Sequence, residues 1–119
     1  MASLSADAGT LTLALTRAEK LQALHSDIAV PMSHVVSIEP VADLWSHLRG
    51  IRAPGTGIPR RLLLGTTRYQ GGRDFCIARV NTAGIVVTLR DEPFARLLVS
   101  VPSLDAAVDT VHTLNAHRA

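Results

Sequence analysis

The feature that most constrains the fold is a succession of short alternating apolar stretches, which recur at roughly ten-residue spacing. Alternation with a period of two predicts strands that bury one face. The stretches lie at residues 10–15, 62–66, 74–80, 85–89 and 97–101. A glycine-rich turn at residues 70–72 makes a hairpin of the second and third. The sequence therefore predicts an α+β fold of mainly antiparallel strands, arranged as a curved sheet or a partly open barrel.

A different periodicity marks the end of the chain. Pro102 and Ser103 precede a segment whose apolar residues are mostly three or four apart, which is typical of an amphipathic helix. These residues are Leu104, Ala107, Val108, Val111 and Leu114. We expect this C-terminal helix to cap the sheet. The predicted shared core contains Leu11, Leu13, Ile85, Val87, Val99, Leu104, Val108 and Val111.

Cap and turn signals set the boundaries between the elements. Thr16 stands three residues before Glu19, which is the spacing of a capping box, and predicts a short helix over residues 16–24. Asp43 is expected to cap a further helical turn. Pro31 is expected to interrupt strand pairing, because proline has no N–H to donate to a sheet.

Length and composition indicate one folded domain. With 119 residues, of which 47% are hydrophobic, the chain is long enough to bury a single core. We predict a flexible N-terminus over residues 1–9 and one domain over residues 10–119. The net charge of +2 is too small to indicate a nucleic-acid partner by itself. The apolar stretches around residues 28–38 and 97–104 are too short to span a membrane, so no transmembrane segment is predicted.

Three segments are similar to stretches of small uncharacterised bacterial proteins. They read VPMSHV at residues 30–35, RGIRAPGTGIP at residues 49–59 and GGRDF at residues 71–75. With the order of elements, they make the chain resemble a bacterial pleckstrin-homology-like (PH-like) domain. The resemblance implies a PH-like fold over residues 10–119. It also implies a binding or assembly role, carried by loops at the open end or by an exposed sheet edge, and it assigns no catalytic residue.

Residues 49–61 concentrate glycine, proline and arginine as no other part of the chain does. Arginine offers planar donors to anions, and backbone N–H groups of a glycine-rich loop can surround one. The candidate anion-binding residues are Arg49, Arg52, Arg60 and Arg61. The alternative is a rigid crossover loop whose arginines pair with local carboxylates such as Asp43 or Asp74. The sequence leaves both interpretations open.

The remaining chemistry-bearing residues do not form a catalytic or metal-binding pattern. Cys76 is the single cysteine, which excludes an internal disulfide, and its strand context favours packing over a nucleophilic role. His112 and His117 are five residues apart, so a helix places them on different sides. Strand arginines that could bind RNA or DNA would need aromatic stacking partners, and only Tyr69 is well placed. These arginines are Arg68, Arg73, Arg79 and Arg90.

These observations together predict a cytoplasmic, non-enzymatic module that needs no cofactor and acts through protein contacts. The partner is either a second copy of the chain, giving a homo-oligomer, or another protein; nucleic acid is not expected. The alternative is a binder of anions, phosphorylated ligands or lipid headgroups that uses residues 49–61. A small enzyme ranks last, because no activated nucleophile or acid–base pair stands out.

Overall fold

The computed structural model describes residues 3–7, 9–23, 27–48, 51–52, 56–58, 62–69 and 72–116. The strands are β1 (Ser3–Asp7), β2 (Thr10–Ala14), β3 (Ile28–Pro31), β4 (Val35–Val41), β5 (Ile51–Arg52), β6 (Thr56–Ile58), β7 (Leu62–Tyr69), β8 (Gly72–Arg79), β9 (Gly84–Leu89) and β10 (Arg96–Ser100). The helices are α1 (Arg17–Ala23) and α2 (Leu104–Asn115). Two 3-10 turns, Met32–His34 and Leu44–His47, follow β3 and β4. The predicted α+β class, with mainly antiparallel strands and a C-terminal helix, is confirmed.

The first three strands form a small antiparallel sheet in the order β1–β2–β3. Gly9 directly precedes β2 and adopts a φ of 78°, which glycine tolerates best. Residues 1–9 were expected to be flexible, but Ser3–Asp7 pairs with β2 along its full length. The period-two argument missed this strand because its residues are mostly small and polar.

The other strands form a larger sheet in the order β4–β9–β10–β8–β7–β5, with β6 also paired to β7. The predicted hairpin of β7 and β8 is confirmed. Strand β10 lies between β8 and β9 and runs parallel to β8, so the order is not a simple meander. The buried Ser100 hydroxyl accepts the backbone N–H of Arg79 at 2.8 Å. This hydrogen bond joins the end of β10 to the end of β8, where the chain leaves for β9. In the described residues neither sheet closes into a barrel.

The main core lies between the two sheets and under α2. Alternating residues of β2, β8, β9 and β10 meet there, as the period-two pattern predicts. Six of the residues predicted for the core are buried in it: Leu11, Leu13, Ile85, Val87, Val99 and Val111. The prediction is wrong for Leu104 and Val108, which are 44% and 48% exposed. The helix buries a narrower stripe, made of Ala107, Val111 and Leu114, and turns its remaining apolar side chains to the surface.

A second, smaller core covers the opposite face of the large sheet. Its buried members are Leu44, Cys76, Ala78, Val86 and Leu98. Leu44 belongs to the second 3-10 turn and packs directly on Gly84, where a Cβ would stand 2.7 Å from its side chain. The central strands are therefore buried on both faces.

The helix caps in the structure agree only in part with those predicted from the sequence. The Thr16 N–H donates to the Glu19 carboxylate at 2.8 Å, and the Glu19 N–H donates back to the Thr16 hydroxyl at 3.2 Å, so the capping box is confirmed. Ser103 caps α2 by accepting the Ala106 N–H. Asp43 occupies the predicted N-cap position of the second 3-10 turn, but its side chain makes no cap hydrogen bond. Instead the Ser46 hydroxyl donates to the Asp43 carbonyl at 2.9 Å.

Candidate functional site

The predicted anion site falls mostly beyond the described part of the chain. Arg49, Arg60 and Arg61 lie outside the described residues. Arg52 lies in β5, where it is the register partner of Thr67 in β7. The anion-binding role of Arg52 therefore stays a prediction.

Neighbouring strands place Asp74 and Arg96 in register with Arg52 and Thr67. Asp74 and Arg96 form a buried ion pair that the sequence analysis did not find. Asp74 is fully buried and faces Thr67 on one side and Arg96 on the other. The Arg96 guanidinium donates to one Asp74 carboxylate oxygen, from Nη2 at 2.8 Å and from Nε at 3.1 Å. Nη2 also donates to the His47 carbonyl at 2.7 Å, which ties the second 3-10 turn to the sheet. The available signal was an acid, Asp74, directly before an apolar run in β8 and a basic residue, Arg96, directly before an apolar run in β10.

The candidate site that the structure defines best is a cleft of about 310 Å³ beside β3. Four consecutive residues, 27–30, form one side of it. Thr66 of β7 and Arg73 of β8 contribute from the large sheet. The turn between β9 and β10 closes the remaining side with Glu92 and Phe94. We call this space the β3 cleft.

The backbone of Ala29 faces outward at this cleft. In an antiparallel pair, residues that exchange hydrogen bonds alternate with residues that do not. The Met32 N–H donates to the Gly9 carbonyl at 2.8 Å, which fixes the alternation between β2 and β3. Ala29, opposite Thr12, falls on a non-bonded position, so its N–H and C=O point away from β2. Ala29 is exposed, and in the described residues no strand pairs with this edge.

The floor of the β3 cleft is apolar and rigid. Ile28 and Val30 are buried in the main core, as are Leu89 and Phe94. The Phe94 ring packs against the Phe75 ring with centroids 5.4 Å apart and planes tilted by 58°. Such tilted contacts are favoured between aromatic rings.

Hydrogen bonds hold the far wall of the cleft in position. The Arg90 guanidinium donates to the Ser33 carbonyl at 2.8 and 3.2 Å, and the Arg90 N–H donates to the His34 carbonyl at 2.9 Å. His34 Nδ1 lies 2.5 Å from a carboxylate oxygen of Glu92. These contacts join the first 3-10 turn to the β9–β10 turn, so the cleft is formed before any ligand arrives, which lowers the cost of binding.

The two acids at the cleft, Asp27 and Glu92, each contact a basic side chain. Asp27 accepts the Leu15 N–H at 2.8 Å and lies 3.6 Å from the Lys20 ammonium. Glu92 contacts His34, as described above. Arg73 instead stacks on Phe94, with its guanidinium carbon 5.2 Å from the ring centroid. Among the described residues Arg73 makes no ion pair, and its Nε donates to the Pro93 carbonyl at 3.4 Å.

Sequence reasoning missed this cleft because its residues come from separate parts of the chain. Ala29, Arg73 and Phe94 meet only through the packing of two sheets. The sequence analysis considered Arg73 and Arg79 only as strand arginines that could bind RNA or DNA if aromatic partners were present. They lie at opposite ends of β8, about 20 Å apart at the usual rise of a strand.

Other chemistry-bearing groups are enclosed or dispersed. Burial raises the pKa of the Cys76 thiol from the ordinary 9.0 to about 12. The Thr67 hydroxyl, 3.9 Å from the sulfur, lowers the pKa and offsets only part of this rise. In the described ranges no three His, Cys, Asp or Glu side chains come together as a metal site would require.

Comparison with protein-family models, with curated proteins and with solved structures found no match to this chain. The resemblance to a PH-like domain therefore stays a prediction. Over the part of the chain that the structure describes, neither helix has the length and apolar character that crossing a membrane requires.

Proposed function

We propose that this protein is a non-enzymatic protein-binding module, of PH-like fold, that takes up an extended segment of another protein along β3. The observation that carries the proposal is the outward-facing peptide group of Ala29 at the β3 cleft. An added strand would gain two main-chain hydrogen bonds there. Alternate side chains of the added strand would contact the apolar floor, which is how strand addition combines affinity with specificity.

The position of proline agrees with this role. Pro31 ends β3 and lies on the non-bonded side of β2, opposite Thr10, so its missing N–H belongs to the outer edge. A proline there keeps long β-sheet contacts from extending past the cleft. The bound segment is therefore expected to be short.

The state of Cys76 supports a non-enzymatic role. With a pKa of about 12 the buried thiol yields very little thiolate near neutral pH, and thiolate is the nucleophilic form. A free, reduced cysteine also agrees with the cytoplasm, which we keep as the proposed compartment.

Binding can be tested with a phage-displayed library of random segments of about six residues, the usual length of a strand. The variant Ala29→Pro removes the outer N–H of β3 and leaves the ladder to β2 intact. We expect wild type to select binding segments from the library. Ala29→Pro should bind the selected segments at least tenfold more weakly, because a main-chain hydrogen bond and the close approach of the segment are both lost.

Ala6→Pro is a matched control at the other edge of the same sheet. Strand β2 uses alternate residues for its two neighbours, so Ala6, opposite Leu11, points its peptide groups away from β2. This variant should bind like wild type. Selection of no binder, or equal binding by both proline variants, would overturn the proposal.

The same variants decide whether a second copy of the chain is the natural occupant. Sedimentation at rising protein concentration measures self-association directly. A dimer that Ala29→Pro abolishes identifies the occupant as a second copy, and a dimer that survives it places self-association elsewhere on the surface. A monomer throughout assigns the cleft to another protein.

A further inference from the structure

We propose that the β3 cleft selects segments that carry an acidic side chain, which Arg73 binds; this inference rests on the proposed strand addition. The cleft has one cation with no carboxylate partner among the described residues. Its two acids already have contacts: Asp27 lies 3.6 Å from the Lys20 ammonium, and Glu92 contacts the His34 ring. An incoming carboxylate can therefore bind the Arg73 guanidinium, whereas an incoming cation would compete for acids that already have contacts.

The orientation of Arg73 favours a carboxylate over other acceptors. Its guanidinium lies against the face of Phe94, which restricts the side chain before binding. The Nε atom donates to the Pro93 carbonyl, and in the described residues neither Nη atom has a partner. A planar guanidinium with both Nη atoms available can donate two parallel hydrogen bonds to one carboxylate.

The position along the cleft also fits an added strand. Arg73 stands at the start of β8 and lines the same cavity as Ala29 of β3. The carbonyl of Arg73 accepts the Ala95 N–H at 2.7 Å, which fixes its backbone against the β9–β10 turn. A segment that pairs with Ala29 thus passes the Arg73 side chain, whose backbone is fixed by this hydrogen bond.

The experiment compares segments selected by wild type with those selected by Arg73→Gln from the same library. We expect Asp or Glu to be enriched at one position with wild type only. A synthetic segment from the wild-type selection, and its copy with that acid changed to the amide, should differ about tenfold in Kd, as a charged hydrogen bond predicts.

Arg73→Gln should bind both synthetic segments with nearly equal Kd, close to the Kd of wild type for the amide. Arg79→Gln is the matched control, because it removes an exposed arginine from the far end of the same strand. It should keep the tenfold preference. The preference of wild type should weaken as salt rises, because the ion pair is only partly buried.

The outcomes separate this inference from the proposed function. Equal Kd values of wild type for acid and amide, with binding still lost in Ala29→Pro, overturn acid selection and leave strand addition in place. Binding that Ala29→Pro does not change overturns both. Because the acid-to-amide change is made in the segment, the acid preference measured with wild type does not depend on how any protein variant folds.

Discussion

The two faces of the large sheet are built on different principles. The face toward the small sheet and α2 is apolar at its centre, with Phe75, Ile77, Val87 and Val99 packed in the main core. The opposite face places a fully buried carboxylate, Asp74, and other polar groups among the small apolar residues of the second core. On the first face cohesion comes from area removed from water. On the second it depends on each polar group keeping its partner.

This difference teaches where the molecule tolerates change. An apolar face loses stability in proportion to the atoms removed, whereas a face with buried charge loses it abruptly when one partner is removed. The polar row also has a positional task, because Arg96 fastens the second 3-10 turn through the His47 carbonyl. The chain segment after that turn is the one that carries the predicted anion-binding arginines.

The largest effect is expected from a charge placed in the apolar face. Val111→Asp puts a carboxylate into the main core, where Val111 is 7% exposed, and should cost more than about 3 kcal/mol. We expect the variant to lose its cooperative melting transition. Val108→Asp is the control on the same helix and should change stability by less than about 0.5 kcal/mol, because that side chain is half exposed. Similar melting of the two variants would contradict the placement of α2.

A smaller but still large effect is expected on the polar face. Arg96→Met removes the guanidinium from the buried Asp74 and should cost about 3 kcal/mol in urea unfolding. The double variant Arg96→Met/Asp74→Leu should recover part of the loss, because it removes the buried charge as well. Lys20→Met breaks the exposed pair with Asp27 and should cost less than about 1 kcal/mol. Equal losses in the two single variants would show that burial does not distinguish these pairs.

The sequence predicted the faces of strands better than their neighbours. Alternation placed Leu11 and Leu13 inward correctly, because a period of two fixes which face a residue occupies. It carries no information on which strand lies alongside. The insertion of β10 between β8 and β9 depends on long-range pairing and could not be derived.

The helix and the candidate site show the same limit in other forms. The spacing of three or four residues marks an apolar stripe on α2 that is wider than the part of the helix buried against the core. Val108 lies on the exposed part of that stripe, so its predicted place in the core was wrong. The β3 cleft requires Ala29, Arg73 and Phe94 to meet, and no local pattern links residues so far apart in the chain. Residues 49–61 attracted the functional hypothesis because their composition is unusual, which is a property visible without a fold.

The effect that is smallest at neutral pH is expected from the ionisation of Cys76, which appears only in alkali. Its folded pKa of about 12 exceeds the ordinary 9.0, so between these values the unfolded chain releases a proton that the folded chain retains. Stability from the protonated thiol is therefore complete below pH 9 and falls as pH rises toward 12, by at most about 1.4 kcal/mol per pH unit. Urea unfolding of wild type and Cys76→Ala should show a difference in stability that is constant below pH 9 and shifts in favour of the variant above it. Because tyrosine and lysine titrate equally in both proteins, only the difference reports on the thiol. A difference that stays constant across the alkaline range would mean that solvent reaches Cys76, and the polar face would then be more open than its burial indicates.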